Sequence, residues 1–449
     1  MELYKHNREH YEALMAMLET VQRACGIQPP GTGKSFIAFN IALEHPGESM
    51  LWMSPNEYIF SEQMESFKRN CPGDDVSNIE QMTYAAAMAR AKDGRELPCG
   101  FDWIVLDEFH HCLAPEWGKG VQAVLDANPQ AKIVGLTATE IRWFDGERDV
   151  AEELFGGNVA FRMGLEEAWL RGILPIPKYV TALYERPPEL DEAEKRADSL
   201  RRRPSKMEAY SAKFEELRRA VASAKGVGDV MREQIPKPDA KLVVFCPNIP
   251  SIDEICDLRR DWFGGVNEDI HAYVVHSMTP DGDESFKSFR EDRSQALKLL
   301  FCVNQLNEGV HISGLDGVVM VRPTASPTIF VQQMGRALDA GGGRCPLVID
   351  LVNNLTSLGF GTIRETLRGQ YARMAEEASD EIERTPEDFV IVDETQEAGR
   401  LVEELKAFFP NGDRTSGIHY GESIDEMIDW LVEYAKDNKR GRNKRKCQA

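Results

Sequence analysis

The segment that most constrains this chain reads Gln-Pro-Pro-Gly-Thr-Gly-Lys-Ser and spans residues 28–35. The apolar run 24–27 directly before it predicts a short buried strand, and the run 35–43 directly after it predicts a helix. A glycine-rich turn between a strand and a helix points backbone N–H groups at phosphate oxygens, with the positive end of the helix dipole behind them. The segment therefore predicts a loop that binds the phosphates of a nucleoside triphosphate.

Several positions of this loop have separate expected roles. Gly31 and Gly33 allow the sharp turn of the backbone. Lys34 would reach the β- and γ-phosphates, and the Ser35 hydroxyl would ligate Mg²⁺. Gln28 is a departure, because the pattern G-x-x-x-x-G-K-[ST] begins with glycine. A simple glycine–proline turn with an exposed lysine would not explain why strand, turn and helix follow one another in this order.

Length and composition favour an ordinary globular protein of two or three domains, with 449 residues, 42% of them hydrophobic and 28% charged. No apolar stretch approaches the roughly 20 residues needed to span a bilayer, so no membrane contact is expected. The first residues lack the apolar core of a secretory signal. Nine cysteines without a C-x-x-C pair predict reduced core thiols in a cytoplasmic protein rather than zinc or disulfides.

The charge distribution bears on nucleic acid as a partner. The net charge of −21 argues against a protein that coats nucleic acid indiscriminately, but it is compatible with a groove that has positive walls. The sign reverses near the C-terminal end, where lysines and arginines crowd into 436–446. Such a tail is typically solvated, and contact with phosphates is the less common alternative.

Residues 1 to about 170 alternate short apolar runs with helix-period segments, which is typical of a parallel sheet covered by helices. The strand candidates there are 24–27, 50–53, 103–106 and 132–136. The architecture repeats further along, with strand candidates at 242–245, 272–275, 299–302, 318–321 and 347–349. The expected fold class is α/β, with the chemistry at the carboxyl ends of the strands.

Proline and charge patterns suggest the domain borders. Two closely spaced prolines in 172–177 interrupt helix and separate an expected domain 1–172 from a second domain 173–360. Residues 188–235 are rich in Glu, Lys, Arg and Ala, and they predict a helical insertion in the second domain. Residues 361–449 predict a helical extension that ends in the basic tail.

A pair of acids follows the predicted strand 103–106. Asp107 at the strand end can hold Mg²⁺, and Glu108 can polarise the water that attacks a γ-phosphate. Such pairs are common after apolar strands, and this one gains weight because a phosphate loop precedes it. The next strand candidate ends in Thr137-Ala138-Thr139, whose hydroxyls either couple the acids to the far side of a cleft or cap the next helix.

The second half carries two further polar motifs. Residues 304–311 read Asn-Gln-Leu-Asn-Glu-Gly-Val-His after a strand candidate, and residues 332–339 lie in a predicted helix. Gln332 and Arg336 are four positions apart, so they project from one helix face. An arginine supplied by a second domain can stabilise the charge that develops in phosphoryl transfer. A helix that is merely exposed is the alternative.

As an ordered set, these motifs resemble those of superfamily 2 helicases and translocases of the DExH kind. The corresponding segments are 28–35 for motif I, 52–55 for motif Ia, 107–110 for motif II, 137–139 for motif III, 306–311 for motif V and 332–336 for motif VI. Within that superfamily the chain is similar to bacterial proteins related to the helicase subunits of type III restriction enzymes. The resemblance covers residues 1 to about 360.

The resemblance implies two tandem RecA-like domains, with ATP and Mg²⁺ in the cleft and a nucleic-acid strand crossing both. The implied catalytic groups are Lys34, Asp107, Glu108, His110, Gln332 and Arg336. The implied ATP-binding residues are Asn7, Pro30, Gly31, Thr32, Gly33, Lys34, Ser35, Gly309 and His311, with Ser35 and Asp107 on Mg²⁺. Asn7 would stand where related proteins read adenine with a glutamine. The implied strand-binding face includes Ser54, Pro55, Thr83, Tyr84 and His276.

The resemblance also bears on partners. It favours DNA over RNA as the nucleic acid. Helicases of this kind often belong to restriction, defence or mobile-element systems. The resemblance therefore implies that this chain can have partner subunits in a restriction or defence complex.

Three positions depart from the family pattern. Asp339 stands where motif VI commonly has a second arginine, so either Arg336 acts alone or hydrolysis is slow. His311 replaces an aspartate that many relatives direct to the nucleotide sugar. Glu140 replaces a proline after Thr-Ala-Thr. None of these changes removes a group that hydrolysis requires.

Two other functions compete with a helicase or translocase. The loop also resembles that of hexameric protein-remodelling ATPases, but the second strand-rich half and residues 332–336 argue against that class. The other alternative is a switch that uses ATP to clamp nucleic acid without unwinding it. Only assays separate this switch from a motor.

Overall fold

The protein forms two lobes, each built on a parallel β-sheet, in the computed structural model. The structure describes residues 1–112, 117–138, 141–142, 148–182, 225–276, 279, 282–303, 312, 314–321, 345–352, 363–377 and 381–394.

The first lobe consists of a sheet with helices on its faces. Its strands are β1 Arg23–Ile27, β2 Met50–Ser54, β3 Ile79–Thr83, β4 Trp103–Asp107, β5 Lys132–Thr137, the short pair β6 Ile141–Arg142 and β7 Arg148–Asp149, and β8 Val159–Arg162. Its helices are α1 Lys5–Leu18, α2 Ser35–Glu44, α3 Glu57–Asn70, α4 Tyr84–Asp93, α5 Trp117–Ala127 and α6 Val150–Phe155. Among the described residues, six strands form the main sheet in the order β3-β2-β4-β5-β1-β8.

The central strands of this sheet are covered on both faces. Every residue of β2 and of β4 is buried. Strands covered on both faces read as continuous apolar runs rather than as alternating ones, which is why the sequence marks them clearly. Aromatic contacts such as Phe39 against Trp52, at 4.8 Å between ring centroids, fill the space between α2 and the sheet.

The second lobe repeats this architecture. Its strands are β9 Lys178–Thr181, β10 Lys241–Phe245, β11 Ile270–Val275, β12 Leu297–Cys302, β13 Gly317–Met320, β14 Leu347–Asp350 and β15 Ile391–Asp393. Its helices, after α7 Leu165–Leu170, are α8 Val227–Gln234, α9 Ile249–Asp257, α10 Arg259–Phe263, α11 Gly282–Glu291 and α12 Ile363–Glu376. Within the described part of the chain the strands lie in the order β11-β12-β10-β13-β14-β9-β15, all parallel.

The predicted α/β class with two parallel sheets is confirmed, and the sequence missed four strands of these sheets as well as the short pair β6 and β7. β3 reads Ile-Glu-Gln-Met-Thr and lies at the edge of its sheet, where partial exposure permits polar residues. β8 and β9 flank the predicted border, and β15 lies in the region expected to be helical. Short or half-exposed strands of this kind give a weak apolar signal, because partners distant in sequence stabilise them.

The connection between the lobes lies at 163–177, between β8 and β9. Here α7 packs on the core of the second lobe, with the rings of Trp169 and Phe389 5.4 Å apart. Of the predicted insertion 188–235, only the part that includes α8 is described. Beyond 361, α12 is helical as expected and β15 adds a strand to the second sheet, while 395–449 lie outside the described residues.

Among the described helices, none is both long enough and apolar enough to span a membrane.

Candidate nucleotide-binding and hydrolysis site

Three neighbouring strands bring the predicted motifs of the first lobe together. β4, β5 and β1 lie side by side and run in the same direction. The loops after parallel strands meet at one edge of the sheet, so the phosphate loop, the acid pair and Thr137 collect there. The Gln28 N–H donates to the carbonyl of Thr137 at 3.0 Å, which extends the pairing of β1 and β5 into the phosphate loop.

The phosphate loop has the backbone conformation that its glycines suggest. Gly31 and Gly33 have φ angles of 81° and 83°, a region that a Cβ atom makes unfavourable. A Cβ on Gly33 would also lie 3.0 Å from Nδ2 of Asn7. Thr32 is buried, and its hydroxyl donates to a carbonyl within the loop at 2.7 Å. The residues of the loop that remain partly exposed are Pro30, Gly31, Gly33, Lys34 and Ser35.

Lys34 and Glu108 form an ion pair at the centre of the site. The Lys34 Nζ lies 2.6 Å from Oε1 of Glu108, and the two side chains are only 11% and 8% exposed. Loss of either partner would leave the other charge buried and uncompensated, which is costly. The contact joins the phosphate loop after β1 to the acid pair after β4.

Glu108 is held in an unusual backbone conformation. Its φ of 50° is the only positive φ among the described non-glycine residues. Such strain costs about 1–3 kcal/mol and is typical of functional sites. Its Oε2 accepts a hydrogen bond from the Thr137 hydroxyl at 3.4 Å, and Nδ1 of His110 lies 2.8 Å from the same hydroxyl oxygen. A hydroxyl that donates to Glu108 accepts from Nδ1 of His110, so Thr137 links the two side chains.

Asp107 is fully buried at the end of β4. Its Oδ2 accepts from Nε2 of Gln63 at 2.7 Å, and its backbone carbonyl accepts from the Tyr84 hydroxyl at 2.7 Å. Burial, with the nearby charge of Glu108, raises the pKa of Asp107 to about 6, while Lys34 and the bond from Gln63 act in the opposite direction.

The residues at this edge fit a hydrated magnesium ion. Oδ1 of Asp107 is buried, and no described residue gives it a hydrogen bond. An unpaired buried carboxylate oxygen is unfavourable unless a ligand or water completes it. Mg²⁺ is commonly held by one or two carboxylates and keeps several waters. Ser35, partly exposed at the first turn of α2, supplies the hydroxyl expected of the motif.

Helix α1 supports the phosphate loop from behind. Nδ2 of Asn7 donates to the carbonyls of Thr32 at 2.9 Å and Gly33 at 3.3 Å. Oδ1 of Asn7 accepts from Nε2 of Gln28 at 3.0 Å, and the side chain is 1% exposed. The amide expected to read adenine is thus occupied by the loop in this structure.

Gln28, which replaces the first glycine of the pattern, belongs to a buried polar network. Its Oε1 lies 2.7 Å from Nδ1 of His10, whose ring stacks on Phe161 at 4.2 Å. Burial lowers the pKa of His10 to about 4, so the ring is neutral at pH 7 and can donate to Gln28 through Nδ1. His6 makes a further contact, with Nε2 2.9 Å from the Thr32 carbonyl. Gln28, the residue that departs from the motif, therefore anchors the phosphate loop to α1.

Replacing this glutamine by the glycine of the family pattern is expected to destabilise the protein. Gln28→Gly removes both side-chain hydrogen bonds and leaves buried groups of Asn7 and His10 unpaired, so the free energy of unfolding should fall by about 2–4 kcal/mol. Urea denaturation measures this free energy from the unfolding transition of the first lobe. Gln28→Met, which keeps the length without the bonds, separates their loss from the flexibility of glycine. A change below about 0.5 kcal/mol in both variants would show that the network does not stabilise the loop.

Part of the predicted site lies outside the described residues, and the roles given to it stay predictions. These residues are Thr139, Gly309, His311, Gln332 and Arg336. His110, expected to reach Gln332, contacts Thr137 and approaches Glu108 to 3.6 Å.

The expected strand-binding face is only partly supported by burial. Ser54 and Tyr84 are fully buried, so the prediction that they face a nucleic-acid strand is wrong for this structure. Tyr84 instead fixes the backbone of Asp107. Pro55 is also buried, and Thr83 accepts a hydrogen bond from the N–H of Ala86 at the start of α4.

Sequence reasoning missed the contribution of Gln63 and of His10. Neither residue lies in a motif that was assigned to nucleotide chemistry. Each reaches the site from the face of a helix, and the contacts depend on how that helix packs. The available signal was that α1 precedes the strand of the phosphate loop and that α3 directly follows the segment 52–55.

Two family models match the chain. The one described as Type III restriction enzyme, res subunit, matches residues 1–142, and the one described as Helicase conserved C-terminal domain matches residues 227–341. Together they cover more than half of the chain. The first contains the phosphate loop and the acid pair, and the second contains Gln332 and Arg336.

Individual relatives are more distant. A "51.5 kDa protein" of Lactococcus phage (isolate 7-9) is 23% identical over 337 residues, which is 74% of this chain and 66% of that protein. The ATP-dependent Type ISP restriction-modification enzyme LlaBIII, bound to DNA, superposes with a TM-score of 0.55 at 14% identity over 88% of this chain and 31% of its own. The chain thus spans just under two thirds of the phage protein and less than a third of LlaBIII.

A third structure shares the fold over nearly its full length. S. cerevisiae Dbp5, bound to RNA and ADP BeF3, superposes with a TM-score of 0.51 at 14% identity and covers 90% of this chain and 97% of its own. The two lobes and the site define a protein with tandem RecA-like domains and a phosphate loop. The chain belongs to the superfamily 2 helicases related to the helicase subunits of restriction enzymes.

Proposed function

We propose that this chain is an ATP-dependent helicase or translocase that hydrolyses ATP in a cleft between its two lobes and acts on nucleic acid. The observation that carries the proposal is the buried contact of 2.6 Å between the phosphate-loop lysine and Glu108, the expected general base. This contact supports the proposal because it brings the ammonium expected to bind phosphate next to the carboxylate expected to activate water.

The contacts of Glu108 support a mechanism in which ATP binding releases the Glu108 carboxylate, the general base, from its ion pair with Lys34. Before ATP binds, Glu108 is paired with Lys34. The γ-phosphate competes for the same ammonium, because phosphate oxygens carry more negative charge than one carboxylate. The released Oε1 can then orient a water and accept its proton as the water attacks the γ-phosphate. The hydroxyl of Thr137 keeps Oε2 in place through this exchange.

Ser35 and Asp107 would hold Mg²⁺, which neutralises charge on the β- and γ-phosphate oxygens when bound. The N–H groups of the loop and the first turn of α2 would receive the remaining phosphate oxygens. By the family resemblance, Gln332 and Arg336 would belong to the opposite wall, where Arg336 would stabilise charge on the γ-phosphate. Gly309 and His311 would lie near the sugar.

We propose DNA as the nucleic acid. The matching family is named for restriction enzymes, and LlaBIII is bound to DNA, although Dbp5 is bound to RNA. A role in a restriction or defence complex in the cytoplasm, with partner subunits, is part of the proposal.

The proposal is tested by steady-state ATPase rates of the full chain without nucleic acid and with single- and double-stranded DNA and RNA. We expect hydrolysis to rise on addition of DNA and to rise less with RNA of the same sequence. A preference for RNA would overturn the choice of DNA. Tight ATP binding with no turnover in any condition would favour the clamp that binds without unwinding.

A further inference from the structure

Helix α3 reaches the nucleotide site through one side chain. Gln63 donates from Nε2 to Oδ2 of Asp107 at 2.7 Å. The other oxygen of each group, Oε1 of Gln63 and Oδ1 of Asp107, is buried and has no partner among the described residues. Two unpaired acceptors therefore belong to two side chains that are bonded to each other.

Two unpaired acceptors require a donor that the described protein atoms do not supply. Leaving both unpaired would cost several kcal/mol, at about 1–3 kcal/mol each. The water molecules that Mg²⁺ retains are strong donors of this kind. The bond from Nε2 to Oδ2 leaves Oδ1 of Asp107 and Oε1 of Gln63 as acceptors, and both would be available to Mg²⁺ or to water that it carries.

The same helix is attached to the second lobe. Arg290, on α11, forms an ion pair with Glu62 and donates to the Tyr58 hydroxyl at 3.1 Å. The Tyr58 ring meets Phe286 edge to face at 5.8 Å. The side chains of Glu62 and Arg290 are 9% and 28% exposed, so this pair is partly shielded from water and stronger than one on the surface.

Glu62 and Gln63 are consecutive residues of α3, so the contact with the second lobe and the contact with Asp107 share one rigid segment. A shift of α11 relative to the first sheet would act on Glu62 and would move Gln63 with it. The backbone of Asp107 is fixed by its strand and by Tyr84, so a movement of Gln63 would act on the side-chain carboxylate of Asp107 rather than on its backbone.

We infer that Gln63 is a positioning residue for the magnesium carboxylate and that α3, held by Arg290, makes this positioning depend on contact between the lobes. The inference rests on the proposed function, since it assumes that Asp107 serves Mg²⁺. It assigns the contact between α3 and α11 a role in metal affinity in addition to holding the lobes together.

Binding of a fluorescent ADP analogue during a Mg²⁺ titration tests the first part without requiring turnover. Gln63→Met keeps the length of the side chain and removes its polar atoms. We expect the Mg²⁺ concentration for half-maximal tightening to rise about 10-fold, as for other partners of metal ligands. Affinity measured in EDTA should change less than twofold. An unchanged Mg²⁺ requirement, with the variant folded by circular dichroism, would overturn the role of Gln63.

The second part is tested with Arg290→Met, which keeps an unbranched side chain and removes the guanidinium that pairs with Glu62. The matched control is Arg293→Met, because Arg293 is exposed and lies beyond the end of α11. We expect Arg290→Met to raise the Mg²⁺ requirement about threefold and to add little to Gln63→Met, since residues of one network are not additive. Equal effects of Arg290→Met and Arg293→Met, or full additivity with Gln63→Met, would contradict the link.

The outcomes also separate this inference from the proposed function. A wild-type chain that binds no nucleotide would contradict the proposed function itself. If the wild-type chain binds the analogue with Mg²⁺ and both Gln63→Met and Arg290→Met need the same Mg²⁺ concentration as the wild type, only the role of α3 is contradicted.

Discussion

Glu108→Gln is expected to bind ATP and to hydrolyse it about 10²–10⁴-fold more slowly than the unchanged protein, in line with the loss of a general base. The amide keeps the size of the carboxylate and can still meet the Thr137 hydroxyl. It cannot accept a proton from the attacking water. It also releases Lys34 from its ion pair, so ATP affinity should be unchanged or tighter, because the phosphates no longer compete for the ammonium.

Single-turnover hydrolysis and equilibrium binding of labelled ATP measure the two effects of Glu108→Gln separately. Glu80→Gln provides the matched control, because Glu80 is exposed on β3, away from the phosphate loop. The control should leave both quantities within twofold of the unchanged protein. Turnover of Glu108→Gln at the wild-type rate would refute the role of Glu108 as general base.

Arg336→Ala is expected to lower ATP hydrolysis about 10³-fold in the presence of nucleic acid, which is the lower end of the effect known for arginines that reach the γ-phosphate from outside the phosphate loop. The effect should be large because Asp339 replaces the second arginine of the family pattern, so the resemblance leaves Arg336 as the single cation supplied by motif VI. ATP affinity should change much less than turnover, since the guanidinium acts on charge that develops in the reaction.

The matched control for Arg336→Ala is Arg260→Ala, an exposed arginine of α10 in the same lobe. The two variants are compared in the same assay with saturating ATP and DNA. If Arg336→Ala hydrolysed ATP as fast as its control, the claim that Arg336 acts on the nucleotide from the second lobe would be wrong. The phosphate loop and the acid pair could then still form a working ATPase within the first lobe.

The parts of the site that could be predicted from sequence are those encoded by short, contiguous segments. The phosphate loop follows from a glycine-rich run between an apolar strand and a helix, and the positive φ angles of Gly31 and Gly33 follow from the same run. The meeting of Lys34 with Glu108 follows from a general rule, because loops after neighbouring parallel strands lie at one edge. The central strands were clear for the same reason, since burial on both faces requires apolar runs.

The parts that could not be predicted depend on packing between distant segments. Gln28 looked like a defect of the motif, and its contacts with Asn7 and His10 exist only because α1 packs behind the loop. Gln63 carries no local signal, since an amide on a helix is usually exposed. The resemblance implies that Tyr84 lies on the strand-binding face, yet Tyr84 is buried and its hydroxyl donates to the backbone carbonyl of Asp107. For each of these residues, the role depends on which distant residue it contacts, and its own side-chain type does not reveal that contact.

The most direct test of the account is a crystal structure of the full chain with ADP, Mg²⁺, beryllium fluoride and a DNA strand. The quantities to measure are the distances from the Lys34 ammonium and from the Arg336 guanidinium to the fluorides that replace the γ-phosphate oxygens. The account predicts hydrogen-bond contact, within about 3.2 Å, from both residues to the same group. A closed complex in which Lys34 makes this contact and Arg336 points away from it would contradict the claim that the two lobes act on one nucleotide.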